Sequence, residues 1–352
     1  MIIAASIMAA PPSIRRRVWL EWRRTGIGAS DVAAILGISP HASAMSIWAE
    51  KHHGISNSNE NEKMLYGRYA ERMLCAWFND HRAPLHCTNL QMLAHHSQDA
   101  MHHLASCDGM AFEHEPDMIH EIGGEWYADP MHAVAVIEMK SEGISNAWPE
   151  GLPPDHYLAQ AQWQMHVTGQ SACIFVVVHG WRFETYTIER NQADIDLMVE
   201  AVDRFWFDHV VTGRAPYKMI DGSDATQRTM RALFPTDEPD DDGEPVEAEI
   251  DADEYKAMIE ARDRAEFWTE RANTAKARIE AQLGTASFGT IDGVRVVSWK
   301  ASRPTDIDPR ALGAERVRNY AAIPERARRA PRARTFRVLT TNEGDAHGQG
   351  QP

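Results

Sequence analysis

The run from Ala133 to Met139 constrains the fold more than any other stretch: it is dense in Val and Ile, and Glu138 and Lys140 stand at its end. A short apolar run rich in β-branched residues reads as a buried strand. Strand side chains alternate between faces, so Glu138 and Lys140 point to the same side. Pro153 and Pro154 precede a predicted helix from about Asp155 to Thr168, which Gly169 closes. A hairpin is expected next, Ala172 to Val178 and Arg182 to Glu189, around His179-Gly180-Trp181. Upstream, Ala105 to Phe112 reads as another strand. Helices are expected from Ser30 to Leu36, with Ser30 as N-cap and Gly37 as stop, and at about Ala44 to His53, Glu62 to Asn79 and Ala193 to Thr212. The pattern is that of an α/β protein.

The character changes downstream. Residues 216–250 are rich in Pro, Asp and Glu and read as an acidic linker. Asp251 to Leu283 is a long, highly charged helix, and Ser287 to Ala301 a hairpin turning at Asp292-Gly293. The division is therefore a core at 12–215, the linker, an accessory region at 251–340 and a polar tail at 341–352.

The formal net charge of −15 argues against nucleic acid only if it is evenly spread. Asp237 to Glu254 alone holds eleven acidic residues and no Lys or Arg, so the remainder carries −4. Basic residues cluster at Arg15 to Arg24 and at Arg310 to Arg337. Charges act on a phosphate backbone within a Debye length of about 10 Å, so local patches decide. The arginine-rich tail is expected to bind phosphate non-specifically. Cys75, Cys87, Cys107 and Cys173 form no C-x-x-C pair, which excludes a zinc ribbon, a redox dithiol and a disulfide framework. The arginines follow the apolar Met1 to Ala10 instead of preceding it, the wrong order for a secretion signal. No apolar run reaches the roughly 18 residues of a membrane span, so a cytoplasmic protein is expected.

Two carboxylates matter most, Asp108 in Ser106-Cys107-Asp108-Gly109 and Glu138 in Val136-Ile137-Glu138-Met139-Lys140. If their strands pair, Asp108 can lie beside Glu138. Adjacent carboxylates repel, and each keeps its charge only with a cation between them. Mg²⁺ suits such oxygen ligands. Lys140 could then orient a water and stabilise charge on a phosphate oxygen. Taken alone, the same residues also read as a turn at Asp108-Gly109 and an exposed strand face. The seventeen histidines, including the pairs His52-His53, His95-His96 and His102-His103, show no recognised ligand spacing. Neighbours on a strand or helix point apart, so no histidine metal site is expected.

The context of these residues resembles a known family. Trp22 to Asp31 (WRRTGIGASD) resembles an Arg…Gly-x-Ser-(Asp/Glu) opening, and Tyr66 to Glu71 a helical G-x-x-x-E. Asp108-Gly109, Glu138-x-Lys140, and Tyr157 to Gln162 with Val167-Thr168-Gly169 then follow in the family's order. Over about residues 19–190 the chain resembles the YqaJ-like viral recombinase, or λ-exonuclease, family of PD-(D/E)XK nucleases. The resemblance implies a restriction-endonuclease-like core, a central mixed sheet flanked by helices, with a helical and β-hairpin C-terminal appendage. It implies that Asp108, Glu138 and the Met139 carbonyl are metal ligands, that Lys140 is the catalytic lysine, that Glu71 adds an acidic group and that Gln160 lies beside the site. Arg23 and Ser30 would bind a 5′ phosphate, which suits a serine-capped helix start and a bidentate cation.

The activity so implied is Mg²⁺-dependent, with Mn²⁺ as a substitute: 5′→3′ digestion of duplex DNA ends for annealing-type recombination. The implied partners are a phage single-strand-annealing protein and further copies of the chain in a ring-shaped trimer. Two features depart from the pattern: Cys107 stands where a proline is usual, and the connection from Asp108 to Glu138 is long. The rivals are an endonuclease on the same fold and a DNA-end-binding module with a decayed site. An iron–sulfur nuclease would need four clustered cysteines.

Overall fold

The computed structural model describes residues 2–3, 19–55, 62–88, 92–97, 99–116, 118–122, 125–128, 132–143, 148, 152–237, 244–300 and 335–338. The chain forms two compact units, Met1–Pro239 and Asp240–Pro352. Arg15 to Arg17 and most of the arginine-rich tail lie outside the described residues.

The first unit begins with strand β1 (Ile2–Ile3), helix α1 (Ala29–Ile35) and helix α2 (Ala44–Trp48), which continues as a π-turn over Ala49–His53. Helix α3 (Glu62–His81) leads into β2 (His86–Thr88), β3 (Met92–His95), β4 (Leu104–Cys107) and β5 (Gly109–Phe112). The hairpin of β6 (Met118–Ile122) and β7 (Glu125–Ala128) occupies the long connection to β8 (Ala135–Glu142). Helix α4 (Asp155–Thr168) follows, then β9 (Ala172–His179) and β10 (Arg182–Glu189). Helix α5 (Gln192–Phe205) ends in a π-segment, Trp206–Val211, and α6 (Asp224–Leu233) closes the unit.

The central sheet has the order β10-β9-β8-β5-β2. Its β8–β9 pair is parallel and joined through α4, whereas the other neighbours are antiparallel. The mixed sheet flanked by helices expected from the sequence is thus observed. Alternation along β8 sorts its side chains between two apolar layers. Val136 packs with Cys173, Phe175, Trp163, Met165, Val32 and Phe205 on one face. Ala135, Ile137 and Met139 pack with Ile174, Val176, Leu74 and Phe78 of α3 on the other. Each fully buried Leu, Ile, Val, Met or Phe contributes about 1.5–3 kcal/mol, so the sheet's place between α3 and α4 is strongly specified.

Two expectations change. The strand expected from Ala105 to Phe112 is divided at Asp108: β4 pairs with β3 in a second sheet, while β5 pairs with β2 and β8 in the central one. Gly109 makes the transfer possible, because a Cβ there would stand 2.6 Å from the Thr88 carbonyl oxygen. The stretch expected as linker from residue 216 instead contains α6, capped by the Ser223 hydroxyl, which accepts from Thr226 N at 3.2 Å. Ala225, Thr226 and Thr229 are buried, and Met219, Met230 and Leu233 pack on the core. Apolar residues at helical spacing outweigh the flanking acidic composition.

In the second unit, α7 (Ala252–Leu283) is capped by Asp251, which accepts from Asp253 N at 2.8 Å and Glu254 N at 3.1 Å. Strands β11 (Phe288–Ile291) and β12 (Val294–Lys300) form the expected hairpin, and β13 (Thr335–Val338) adds a third antiparallel strand. Asp292 and Gly293 have φ of 49° and 81°, the two positive values a type I′ turn requires. Among the described residues no helix is long and apolar enough to cross a membrane.

Candidate active site

The antiparallel register pairs Gly109 with Ile137, and so carries Asp108 to the position beside Glu138. Asp108 sits where the chain passes from β4 to β5, and its Oδ2 accepts from Met139 N at 2.9 Å. Glu138 is buried, yet three donors surround its carboxylate. Oε1 accepts from Lys140 Nζ and from Gln160 Nε2, each at 2.6 Å, and Oε2 accepts from Gln164 Nε2 at 2.6 Å. Lys140 also donates to Gln160 Oε1 at 3.2 Å and lies 4.6 Å from the centroid of the Tyr157 ring. Tyr157 in turn donates to Glu142 Oε1 at 2.8 Å. Asp108, the Glu138–Lys140 pair and Gln160, far apart in sequence, therefore form one cluster.

Its electrostatics are lopsided. Burial and the Glu138 charge push the Asp108 carboxyl well above its usual range; Lys140 and the Met139 N–H only partly offset them, and Glu71 adds to the push. Burial opposes the Lys140 ammonium, but Glu138 and Asp108 outweigh it and hold the amine above its usual pKa. Glu71 is half-buried on α3, the helix on the sheet face opposite to α4. Cys107, in the position of the usual proline, is buried; burial and then the charge of Glu138 hold its thiol protonated. Gln164 escaped the sequence reading. It lies one turn beyond Gln160 on α4, and that i, i+4 spacing was the available signal.

The expected phosphate-binding pair is also brought together. The Arg23 guanidinium donates to Ser30 Oγ at 3.2 Å, to Glu50 Oε1 at 3.1 Å and, very closely, to Asp31. Ser30 is exposed but is not the N-cap. Gly28 holds that position, and its N–H donates to Asp31 Oδ2 at 3.1 Å. Asp31 takes over the capping because Arg23 and the buried Lys51 (Nζ to Oδ2, 2.7 Å) draw its carboxylate back toward the helix start. Lys51 was not anticipated. Gly26 brings this segment to the core: a Cβ there would lie 2.4 Å from the His102 carbonyl oxygen. Ile27 N donates to that same oxygen at 2.7 Å.

Residues 18–171 match the family described as the YqaJ-like viral recombinase domain. Over this stretch the chain is similar to the YqaJ-like domain. Over 314 residues the chain is 24% identical to a Bacillus subtilis (strain 168) protein described as uncharacterized protein YqaJ, covering 88% of this chain and 90% of that one. Among solved structures, an alkaline exonuclease (LHK-Exo) from Laribacter hongkongensis is 21% identical, with a TM-score of 0.42, covering 62% of this chain and 100% of that chain. A phage related exonuclease from Haemophilus somnus 129PT is 14% identical, with a TM-score of 0.33, covering 53% and 96%. Arg23, Ser30, Glu71, Asp108, Glu138, Met139, Lys140 and Gln160 all fall within the matched stretch.

The first unit gathers a second polar cluster, where the sequence leads us to expect no such site. His103 Nδ1 lies 3.1 Å from His166 Nε2, and His103 Nε2 and His102 Nε2 each lie 2.7 Å from Asp203 Oδ1. His96 stacks on His166 with ring centroids 4.2 Å apart. Burial first, then His96 and His103, brings the His166 pKa down to about 3. The expectation that adjacent histidines point apart fails at His102-His103, whose ring centroids lie 4.4 Å apart and which share Asp203 Oδ1, and partners from other elements complete the cluster.

Proposed function

We propose that the protein is a divalent-metal-dependent deoxyribonuclease that digests duplex DNA from its ends, 5′→3′, and leaves a 3′ single strand for recombination by annealing. The observation that carries the reading is the placement of Glu138 and Lys140 side by side on β8 with Asp108 next to them across the strand pair. The donor set fits Mg²⁺, with Mn²⁺ as a substitute: it consists of hard oxygens, and the negative charge of Glu138 at Asp108 is only partly compensated. Asp108 and Glu138 would hold the ion, assisted by the Met139 carbonyl and by Glu71. Such an ion supplies Lewis-acid polarisation of the phosphate and a water made acidic enough to attack it.

The remaining work falls to the chain's own groups. Lys140 keeps its proton and presents a positive charge where a phosphate oxygen gains negative charge. Gln160 accepts from Lys140 and donates to Glu138, so it fixes the distance between them. Arg23 and Ser30 would bind the terminal 5′ phosphate and make cleavage depend on an end. Arg23 already bonds Asp31 and Glu50, so the phosphate has to compete with these carboxylates for its N–H groups.

The reading is tested by Mg²⁺-dependent digestion of linear duplex with and without a 5′ phosphate, beside a closed circle. Rapid loss of the phosphorylated linear DNA alone is expected. Equal cutting of the circle would point to an endonuclease. DNA-end binding that persists without cleavage, and is indifferent to Asp108→Ala, would point to a binding module. A ring-shaped homotrimer and a phage single-strand-annealing partner complete the proposal; sedimentation velocity and co-purification test them.

A further inference from the structure

We infer that His96, His103 and His166 form a binding site for a zinc-class divalent ion, sharing no residue with the carboxylate site. The three side chains come from separate elements: the residue after β3, the residue before β4 and the last turn of α4. Their ligand atoms all lie within 4.8 Å of one another. The 3.1 Å between His103 Nδ1 and His166 Nε2 is close to the separation of two ligands on a tetrahedral ion, roughly 3.3 Å for bonds of about 2.0–2.1 Å.

The surroundings are those of a ligand set. Asp203 Oδ1, 2.7 Å from His103 Nε2, holds the proton on that nitrogen and leaves the Nδ1 lone pair facing His166. A carboxylate on the far nitrogen is the usual companion of a metal-bound imidazole, fixing its tautomer and raising its basicity. Asp203 is itself held by His102 Nε2 at 2.7 Å, and His102 stacks on Trp206 with centroids 5.6 Å apart. His103 and His166 are buried, and the buried Nδ1 of half-buried His96 has no hydrogen-bond partner among the described residues. Coordination requires His96 to turn out of its stack on His166, leaving the fourth position to water.

Three imidazoles select an ion of borderline softness, zinc in the first place, whereas Mg²⁺ and Ca²⁺ prefer oxygen. The ion would tie the β3–β4 connection to α4, the helix that also carries Gln160 and Gln164.

The test uses the full chain, stripped with a chelator and titrated with Co²⁺ in excess Mg²⁺, then with Zn²⁺. Wild type and Asp108→Asn should each bind one equivalent with the visible ligand-field bands of a tetrahedral site, and Zn²⁺ should abolish those bands. His96→Ala, which alters a half-buried side chain outside the strands, should bind at least about tenfold more weakly while keeping the wild-type circular dichroism spectrum. His103→Gln should do the same if it folds. Absence of stoichiometric tetrahedral binding, equal affinity in His96→Ala, or loss of binding in Asp108→Asn would each overturn the inference.

Discussion

Replacing Gln164 with leucine should separate metal affinity from folding. The side chain is fully buried, its Nε2 donates to Glu138 Oε2 at 2.6 Å and to Ser106 O at 3.2 Å, and its Oε1 has no hydrogen-bond partner among the described residues. Leucine occupies a similar volume. The change removes a hydrogen bond to a charged group, a loss of about 1.5–3 kcal/mol, but it also removes a buried acceptor with no partner, a relief of about 1–3 kcal/mol. Net stability should therefore move by no more than about 2 kcal/mol. Glu138, however, loses the only donor on Oε2 among the described residues, while Lys140 and Gln160 both pull on Oε1. Loss of a group that orients a ligand typically weakens metal binding by about 10–100-fold. The assay is the rate of linear-duplex digestion against Mg²⁺ concentration, beside urea unfolding of the same samples. A Mg²⁺ midpoint within about threefold of wild type would refute the orienting role. A loss of stability above about 3 kcal/mol would instead mean that Gln164 acts mainly in folding.

Asp108→Asn should raise the metal-free melting temperature, because a carboxyl whose folded pKa is raised costs stability at every pH above its unfolded value. Added Mg²⁺ should then stabilise wild type and leave the variant nearly unchanged in differential scanning fluorimetry. Asp31 has the opposite sign. Burial would raise its pKa, but Arg23 and Lys51 outweigh burial and hold it below the usual range. Its contribution is complete above about pH 4 and is lost as pH falls through the lower folded value. Asp31→Asn should accordingly flatten the acid limb of the stability profile, as read by urea midpoints between about pH 2 and 5. Lys140→Met should lower the cleavage rate by about 10²–10³-fold, the scale of removing one charge-stabilising donor, with DNA-end binding by fluorescence anisotropy retained. An effect below about tenfold would remove Lys140 from the chemistry.

The limits of the sequence reading follow from the range of the interactions involved. Ser30 looked like a cap because cap chemistry is local; Asp31 took the role because Lys51, twenty residues on, pulls on its carboxylate. The acidic run beginning at Asp237 disguised α6, whose Thr226 and Thr229 become legible only once they are packed on the core. Gln164 reads as an ordinary helix glutamine until α4 is laid over β8. Histidines that looked unrelated at 96, 103 and 166 meet because three elements converge.

From its own pattern the chain determined the α/β class, the β8 strand with Glu138 and Lys140 on one face, the α4 helix and the two hairpins. Each of these depends on periods of 2 or 3.6 residues and on turn chemistry spanning a few positions. Only the tertiary structure decided that Asp108 leaves one sheet to stand beside Glu138, that Glu138 receives three donors, and that a histidine cluster forms on Asp203. Such contacts join residues 20 to 100 positions apart. Their energies appear only after the apolar layers on either side of the sheet have closed and set the distances between them.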